Sequence, residues 1–253
     1  MSLYIYPIHA QMLRVPVGDK WTLSGMGQVF PVVTAAFRGG QASDPLGLTG
    51  WYLTQPAVMA NLEREGGLLT LRTTLNFEGI TQRDGALAYG GWGEGFIDKR
   101  HPHTLLHELM LSFNSWNVGG ADFSLSAGKG FAPYGTDDPM ARPGLKYPTN
   151  HHLSQILERW TVNAVLLKGG WSVEAGVFGG NEPVGPYDFS NIDSFGNSWS
   201  ARLARRWGSG FGPMAQWEAS ISSAKVVESH DGEDHATHLW NLAARHSGMV
   251  ASG

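Results

Sequence analysis

The sequence predicts an all-β fold, an antiparallel transmembrane up-and-down β-barrel. Three observations predict it: two-residue alternation that recurs along the chain, connections that alternate between short and long, and tryptophans gathered at both ends of the expected strands. The alternation is clearest over 68–78, where Leu69, Leu71, Thr73, Leu75 and Phe77 share one face and Thr70, Arg72, Thr74, Asn76 and Glu78 share the other. It returns in 121–128, with Phe123, Leu125 and Ala127 opposed to Ser124, Ser126 and Gly128. In 171–178, Trp171, Val173, Ala175 and Val177 oppose Ser172, Glu174 and Gly176. In 214–222, Trp217, Ala219 and Ile221 oppose Gln216, Glu218, Ser220 and Ser222, and 237–245 follows the same rule. Weaker candidates at 21–37, 51–63, 105–116, 157–167 and 198–207 bring the expectation to about ten strands. No long segment holds a helical period, and glycine interrupts most of those that start one.

A soluble sandwich also alternates, because its polar face meets water. The connections separate the two architectures. Moderate or long connections are expected at 38–50, 79–104, 129–150, 179–197 and 225–236. Between them fall short ones at Glu65 to Gly67, Asn117 to Gly120, Lys168 to Gly170 and Gly208 to Gly212. Outer-membrane barrels pair short periplasmic turns with long outer loops, whereas a sandwich has no reason to sort loop length by parity. Trp21, Trp116, Trp171, Trp207 and Trp217 fall near the short-turn ends, and Trp51, Trp160, Trp199 and Trp240 near the long-loop ends, as two interfacial belts would require.

Composition excludes several classes. Eighteen Lys and Arg against 22 Asp and Glu argue against a nucleic-acid partner. Charged residues make up 16% of the 253, well under the roughly 25% of a soluble domain. There is no cysteine, so a disulfide framework and thiolate chemistry are out. No stretch approaches the ~18 apolar residues of a membrane helix, so any span must be β. No signal peptide is visible at Met1, although an outer-membrane location requires one. Residues 1–20 read as an irregular N-terminal arm and 21–253 as the barrel domain. The final residues, Met249 to Gly253, lack the aromatic residue expected at the end of a closing strand. The barrel is therefore expected to be incomplete at its C-terminal side, although ten strands would be an even number and would also suffice to close it.

Several loop segments carry a resemblance: Gly93 to His103 followed by Leu105-Leu106-His107-Glu108, Gly130 to Met140, Tyr147 to His152, and Gly176 to Pro183. In these the chain resembles an uncharacterised family of bacterial outer-membrane β-barrel proteins over most of 20–250. The likeness is most specific at Arg100-His101-Pro102-His103 and Asn150-His151-His152. It implies an outer-membrane location, a porin-like barrel and a link to metal, often copper, handling. No reaction or substrate is firmly attached to the family. An outer-membrane barrel further implies outer-membrane lipid and the barrel-insertion machinery as partners; oligomeric state is left open.

The candidate metal ligands are His101, His103, His107, His151 and His152, at two loop-to-strand junctions on the long-loop side, with Glu108 and Met140 nearby. The strands they begin are separated by a single strand, which places the clusters about 10 Å apart. Imidazoles converging there suit copper or zinc. The spacing matches neither His-Glu-x-x-His nor its inverse, and histidines stapling a rigid loop are the alternative. His230, His235 and His238, among Asp231, Glu233 and Asp234, read as a solvated surface loop. Asp137-Asp138 reads as turn chemistry before a proline rather than a calcium site.

The expected lumen-lining set is Arg72, Glu78, Glu108, Glu174, Arg202, Arg206 and Glu218, which either line a water-filled path or neutralise one another in a plugged interior. Three functions follow. The first is a porin-like barrel, not an enzyme, passing or binding small solutes or metal ions. The second is a secreted all-β enzyme activating water on a metal at His101, His103, His107, His151 and His152. The third is a structural envelope barrel with a blocked lumen.

Overall fold

Each alternating segment forms a strand, and each strand of the main sheet pairs with the next in sequence. The computed structural model describes residues 13–36, 48–81, 86–87, 97–98, 104–135, 155–208, 216–230 and 232–247. The strands are β1 (Leu13–Val17), β2 (Trp21–Ala36), β3 (Leu48–Arg64), β4 (Leu69–Asn76), β5 (Ala86–Leu87), β6 (Ile97–Asp98) and β7 (Leu106–Val118). They continue as β8 (Ala121–Gly130), β9 (Arg159–Lys168), β10 (Trp171–Phe178), β11 (Ser198–Gly208), β12 (Gln216–His230) and β13 (Glu233–Ser247). All but β5 and β6 form one 11-stranded sheet, in the order β1-β2-β3-β4-β7-β8-β9-β10-β11-β12-β13. A four-residue helix, α1 (Glu78–Thr81), follows β4.

The fold is thus all-β, antiparallel and up-and-down, with a strand in every segment where one was expected. The sheet is not closed: among the described residues no ladder joins β1 to β13. Successive reversals through eleven strands leave the two edge strands running in the same direction. The eleventh strand is β1, inside the stretch read as an irregular arm. It pairs from Leu13 with Gly25 to Val17 with Trp21, and its Pro16 is tolerated because an edge strand has a side where no ladder hydrogen bond is needed.

Turn chemistry fixes one end of the sheet. Lys168 pairs with Trp171 across Gly169 and Gly170, whose φ values are 56° and 81°. Positive φ at both central positions is the hairpin geometry whose twist matches the strands, and glycine adopts it without steric cost. The other end carries the long connections. One departure from the expected parity lies there. The loop expected over 225–236 is instead a continuation of β12 and β13, paired as far as His230 with Glu233. His235 and His238 therefore lie on an exposed strand of a projecting hairpin rather than in a loop.

The two faces of the sheet differ in kind. Phe123, Leu166, Val173, Leu203, Ile221 and Leu242 are successive register partners across six strands. All six are exposed, between 38 and 83%. One residue along each strand lies the opposite row: Ser124, Val165, Glu174, Arg202, Ser222 and Asn241. Arg202 and Ser222 in that row are buried. The buried apolar cluster (Ala132, Tyr134, Ile156, Phe178, Ala224 and Val226) is built from the long connections lying against strand ends on this polar face. Apolar side chains thus face outward and charged ones inward, the reverse of a soluble half-buried sheet.

Candidate functional site

Inward side chains of β4 and β7 to β11, together with residues 131–135, line a cavity of about 480 Å³. Its charged members are Arg72 on β4, Glu108 on β7, Glu174 on β10 and Arg202 on β11. Period-2 alternation puts each on the inner face; register then brings them together, Thr74 opposite Glu108 and Glu174 opposite Arg202.

Arg202 is the centre of the larger charge group. Its Nη1 donates to Glu174 Oε1 at 2.7 Å, its Nη2 to Glu218 Oε1 at 2.9 Å and its Nε to the Gly135 carbonyl at 3.1 Å. Arg206 Nε donates to the second oxygen of Glu218, and Ser172 Oγ donates to Glu174 Oε1 at 2.6 Å. Two arginines and two glutamates neutralise one another. A buried charge is tolerated only when paired and hydrogen-bonded in this way. The smaller group is looser: Arg72 Nη1 lies 3.6 Å from Glu108 Oε1, and Thr74 Oγ1 donates to Glu108 Oε2 at 3.2 Å.

Residues 131–135 cross this wall from the inside. Asn163 Nδ2 donates to the Phe131 carbonyl at 2.8 Å, and the Gly135 N–H donates to Ser222 Oγ at 2.9 Å. The segment therefore runs from the end of β8 over β9, β10 and β11 to β12. It lies so close to the strands that a Cβ on Gly176 would come within 2.6 Å of Pro133 Cδ. Glycine at 176 is what makes the approach possible. Tyr134 is buried on this segment, and burial pushes its phenol above the ordinary value.

A second buried group closes the long-loop end. His107 Nδ1 and Glu158 Oε1 lie 2.6 Å apart, and the Thr104 N–H donates to the same oxygen at 2.9 Å. Lys129, fully buried, donates to Thr104 Oγ1 at 3.0 Å and sits over the Phe189 ring. The His107 ring meets Phe131 edge-on at 5.3 Å. Arg159 bridges Glu182 and Glu228 at 2.9 and 3.6 Å. These contacts tie residues 104, 155–158 and 181–191 to strand ends.

Of the expected lumen set, the structure brings Arg72 and Glu108 together, and Glu174, Arg202, Arg206 and Glu218 together. Glu78 stands elsewhere. β4 ends at Asn76, whose Oδ1 accepts from the Glu78 N–H at 2.8 Å and turns the chain into α1. Glu78 is buried there and does not line the cavity. Of the expected metal ligands only His107 falls among the described residues; His101, His103, His151 and His152, with Met140, lie outside them. Among the described residues no group of three or more metal-ligating side chains occurs. The Nδ1 contact of His107 with a carboxylate is how metal-bound histidines are commonly oriented, and it equally suits a staple buried behind Phe131. Sequence reasoning missed Lys129, Glu158 and the 131–135 crossing. The small residues Gly128 and Gly176 on an otherwise polar inner face were the available signal.

No protein-family model, curated protein or solved structure matches this chain.

Proposed function

We propose that the chain forms the wall of a porin-like β-barrel in a bacterial outer membrane, its polar concave face lining a narrow path for small solutes. The observation that carries this reading is the pair of adjacent rows. An unbroken exposed apolar row from Phe123 to Leu242 lies beside an inward row centred on Glu174 and Arg202. Water-facing proteins seldom expose a contiguous apolar patch of this extent, whereas a lipid-facing strand requires one. Trp116, Trp171, Trp207 and Trp217, all exposed near the short-turn ends, and Trp199 and Trp240 toward the other end support two interfacial belts. The same face argues against a secreted metal-dependent enzyme, which would gain nothing from it.

The inner face supports solvent rather than a dry plug. The atoms Asn76 Nδ2, Ser200 Oγ and Asn241 Oδ1 lie on inward-facing residues, are buried and have no hydrogen-bond partner among the described residues. Such groups are normally satisfied by water. The crossing at 131–135 favours the blocked-lumen reading instead, and conductance separates the two. The test is fractionation of the protein expressed in a double-membraned bacterium, followed by gel mobility of the membrane fraction with and without boiling. Recovery in the outer membrane with a heat-dependent shift is expected. Recovery in the soluble fraction without a shift would overturn the proposal.

A further inference from the structure

The four charges of the cavity are not equivalent. Arg202 is buried with all three of its guanidinium nitrogens engaged, half-buried Glu174 is held by Arg202 and Ser172, and Glu108 accepts from Thr74 and lies near Arg72. Arg72 is different: its side chain is 59% exposed, while that of Arg202 is 8% exposed. Its Nε reaches Asn61 Oδ1 at a long 3.3 Å, and the nearest carboxylate oxygen stands 3.6 Å from Nη1, beyond hydrogen-bonding distance. Among the described residues Nη2 has no partner and Nη1 has only the 3.6 Å approach to Glu108, so the exposed guanidinium keeps donor capacity toward the cavity. Away from Glu108 the wall around Arg72 is hydroxylic. Thr70 lies two residues away on the same face, Ser112 opposite Thr70, and Ser124 opposite Asn114.

We infer that this cavity is a binding site for small hydroxycarboxylates, with the carboxylate on the exposed guanidinium of Arg72 and the hydroxyls on the Thr70, Ser112 and Ser124 wall. A planar guanidinium presents two parallel N–H donors that match a carboxylate. The volume of about 480 Å³ lies within the range of small-molecule sites. Glu108, 3.6 Å from Nη1, competes for the guanidinium and keeps the affinity low, which suits a site that solutes must also leave. The inference deepens the porin reading and depends on it for the path by which a solute arrives.

The test is calorimetric titration of the detergent-folded chain with D-gluconate, and with D-glucose as a counterpart of similar size lacking the carboxylate. Gluconate is expected to bind and glucose to fail to compete. Arg72→Gln should weaken gluconate by about tenfold or more, the loss expected for a charge-assisted hydrogen bond, while Arg72→Lys, which keeps the charge and loses the fork, should fall between wild type and Arg72→Gln. Ser124→Ala should weaken gluconate less than Arg72→Gln does. Equal gluconate affinity in Arg72→Gln, glucose binding as tightly as gluconate, or no binding of gluconate would each overturn the site. Reversal potentials in planar bilayers under a KCl gradient report on the porin reading separately. Anion preference that moves toward zero in Arg72→Gln supports the site. A chain without conductance that still binds gluconate through Arg72 keeps the site and removes the porin reading.

Discussion

Replacing Arg202 by methionine keeps the apolar stem of the side chain and removes every hydrogen bond that the guanidinium makes. Glu174 loses its 2.7 Å partner, Glu218 loses its 2.9 Å partner and the Gly135 carbonyl loses its 3.1 Å donor. Breaking a buried pair from one side costs about 3–5 kcal/mol, because the partner left behind is an uncompensated buried charge. Arg206 still holds the second oxygen of Glu218, so the lower end, about 3 kcal/mol, is expected. That corresponds to a folding equilibrium shifted by about two orders of magnitude. Guanidinium unfolding of the detergent-folded protein, followed by tryptophan fluorescence, reads it as a lower midpoint at unchanged slope. Adding Glu174→Gln removes the stranded charge and should recover part of the loss. The 131–135 crossing, now held at Gly135 by Ser222 alone, should open in both variants and raise conductance. A wild-type midpoint in Arg202→Met would refute the network as a source of stability. A lowered midpoint with unchanged conductance would refute the arginine as the clasp of the crossing.

Gly176→Ala adds a Cβ where Pro133 Cδ would stand 2.6 Å away and Asn163 Oδ1 closer still. It should destabilise by about 1–3 kcal/mol and lift the crossing, read as a lower unfolding midpoint with higher conductance. Val173→Arg, in the middle of the exposed apolar row, should cost about 2–4 kcal/mol of folding into lipid vesicles; a cost near zero would mean that this face meets water. Tyr134 is buried, so the folded state favours its neutral phenol. That contribution is present below the ordinary value of about 10 and lost as pH rises through the higher folded value. A late-ionising phenol in the ultraviolet absorbance, absent from Tyr134→Phe, is the expected signature.

The strands and the inward ion pairs were legible because a sheet face follows a rule of two that survives without tertiary knowledge. Arg72, Glu108, Glu174, Arg202, Arg206 and Glu218 were found from parity alone. The rule failed where its premise failed. At Glu78 an Asn76 side chain competes for the backbone and ends the strand two residues early. Along β12 and β13, the residues beyond Lys225 form a hairpin whose arm from Glu233 to His238 is exposed on both faces. There neither face is set by burial, so polar alternation reads as loop. The crossing at 131–135 and the tie of His107 to Glu158, 51 residues apart, are contacts between segments distant in sequence, which local pattern does not encode.

The shared direction of β1 and β13 bears on how such a wall could be sealed. Each unpaired N–H or C=O left in hydrocarbon costs several kcal/mol, so the 15-residue edge of β13 cannot face lipid bare. A seam made by β1 would be a parallel ladder covering only five residues. A seam made by β2 would be antiparallel, 16 residues against 15, and would require β1 to let go. An antiparallel seam with β1 in place needs an odd number of intervening strands. The direction of one short edge strand thus sets the arithmetic of closure, and paired cysteines placed in this cysteine-free chain would report which seam forms, with no native thiol to confuse the result.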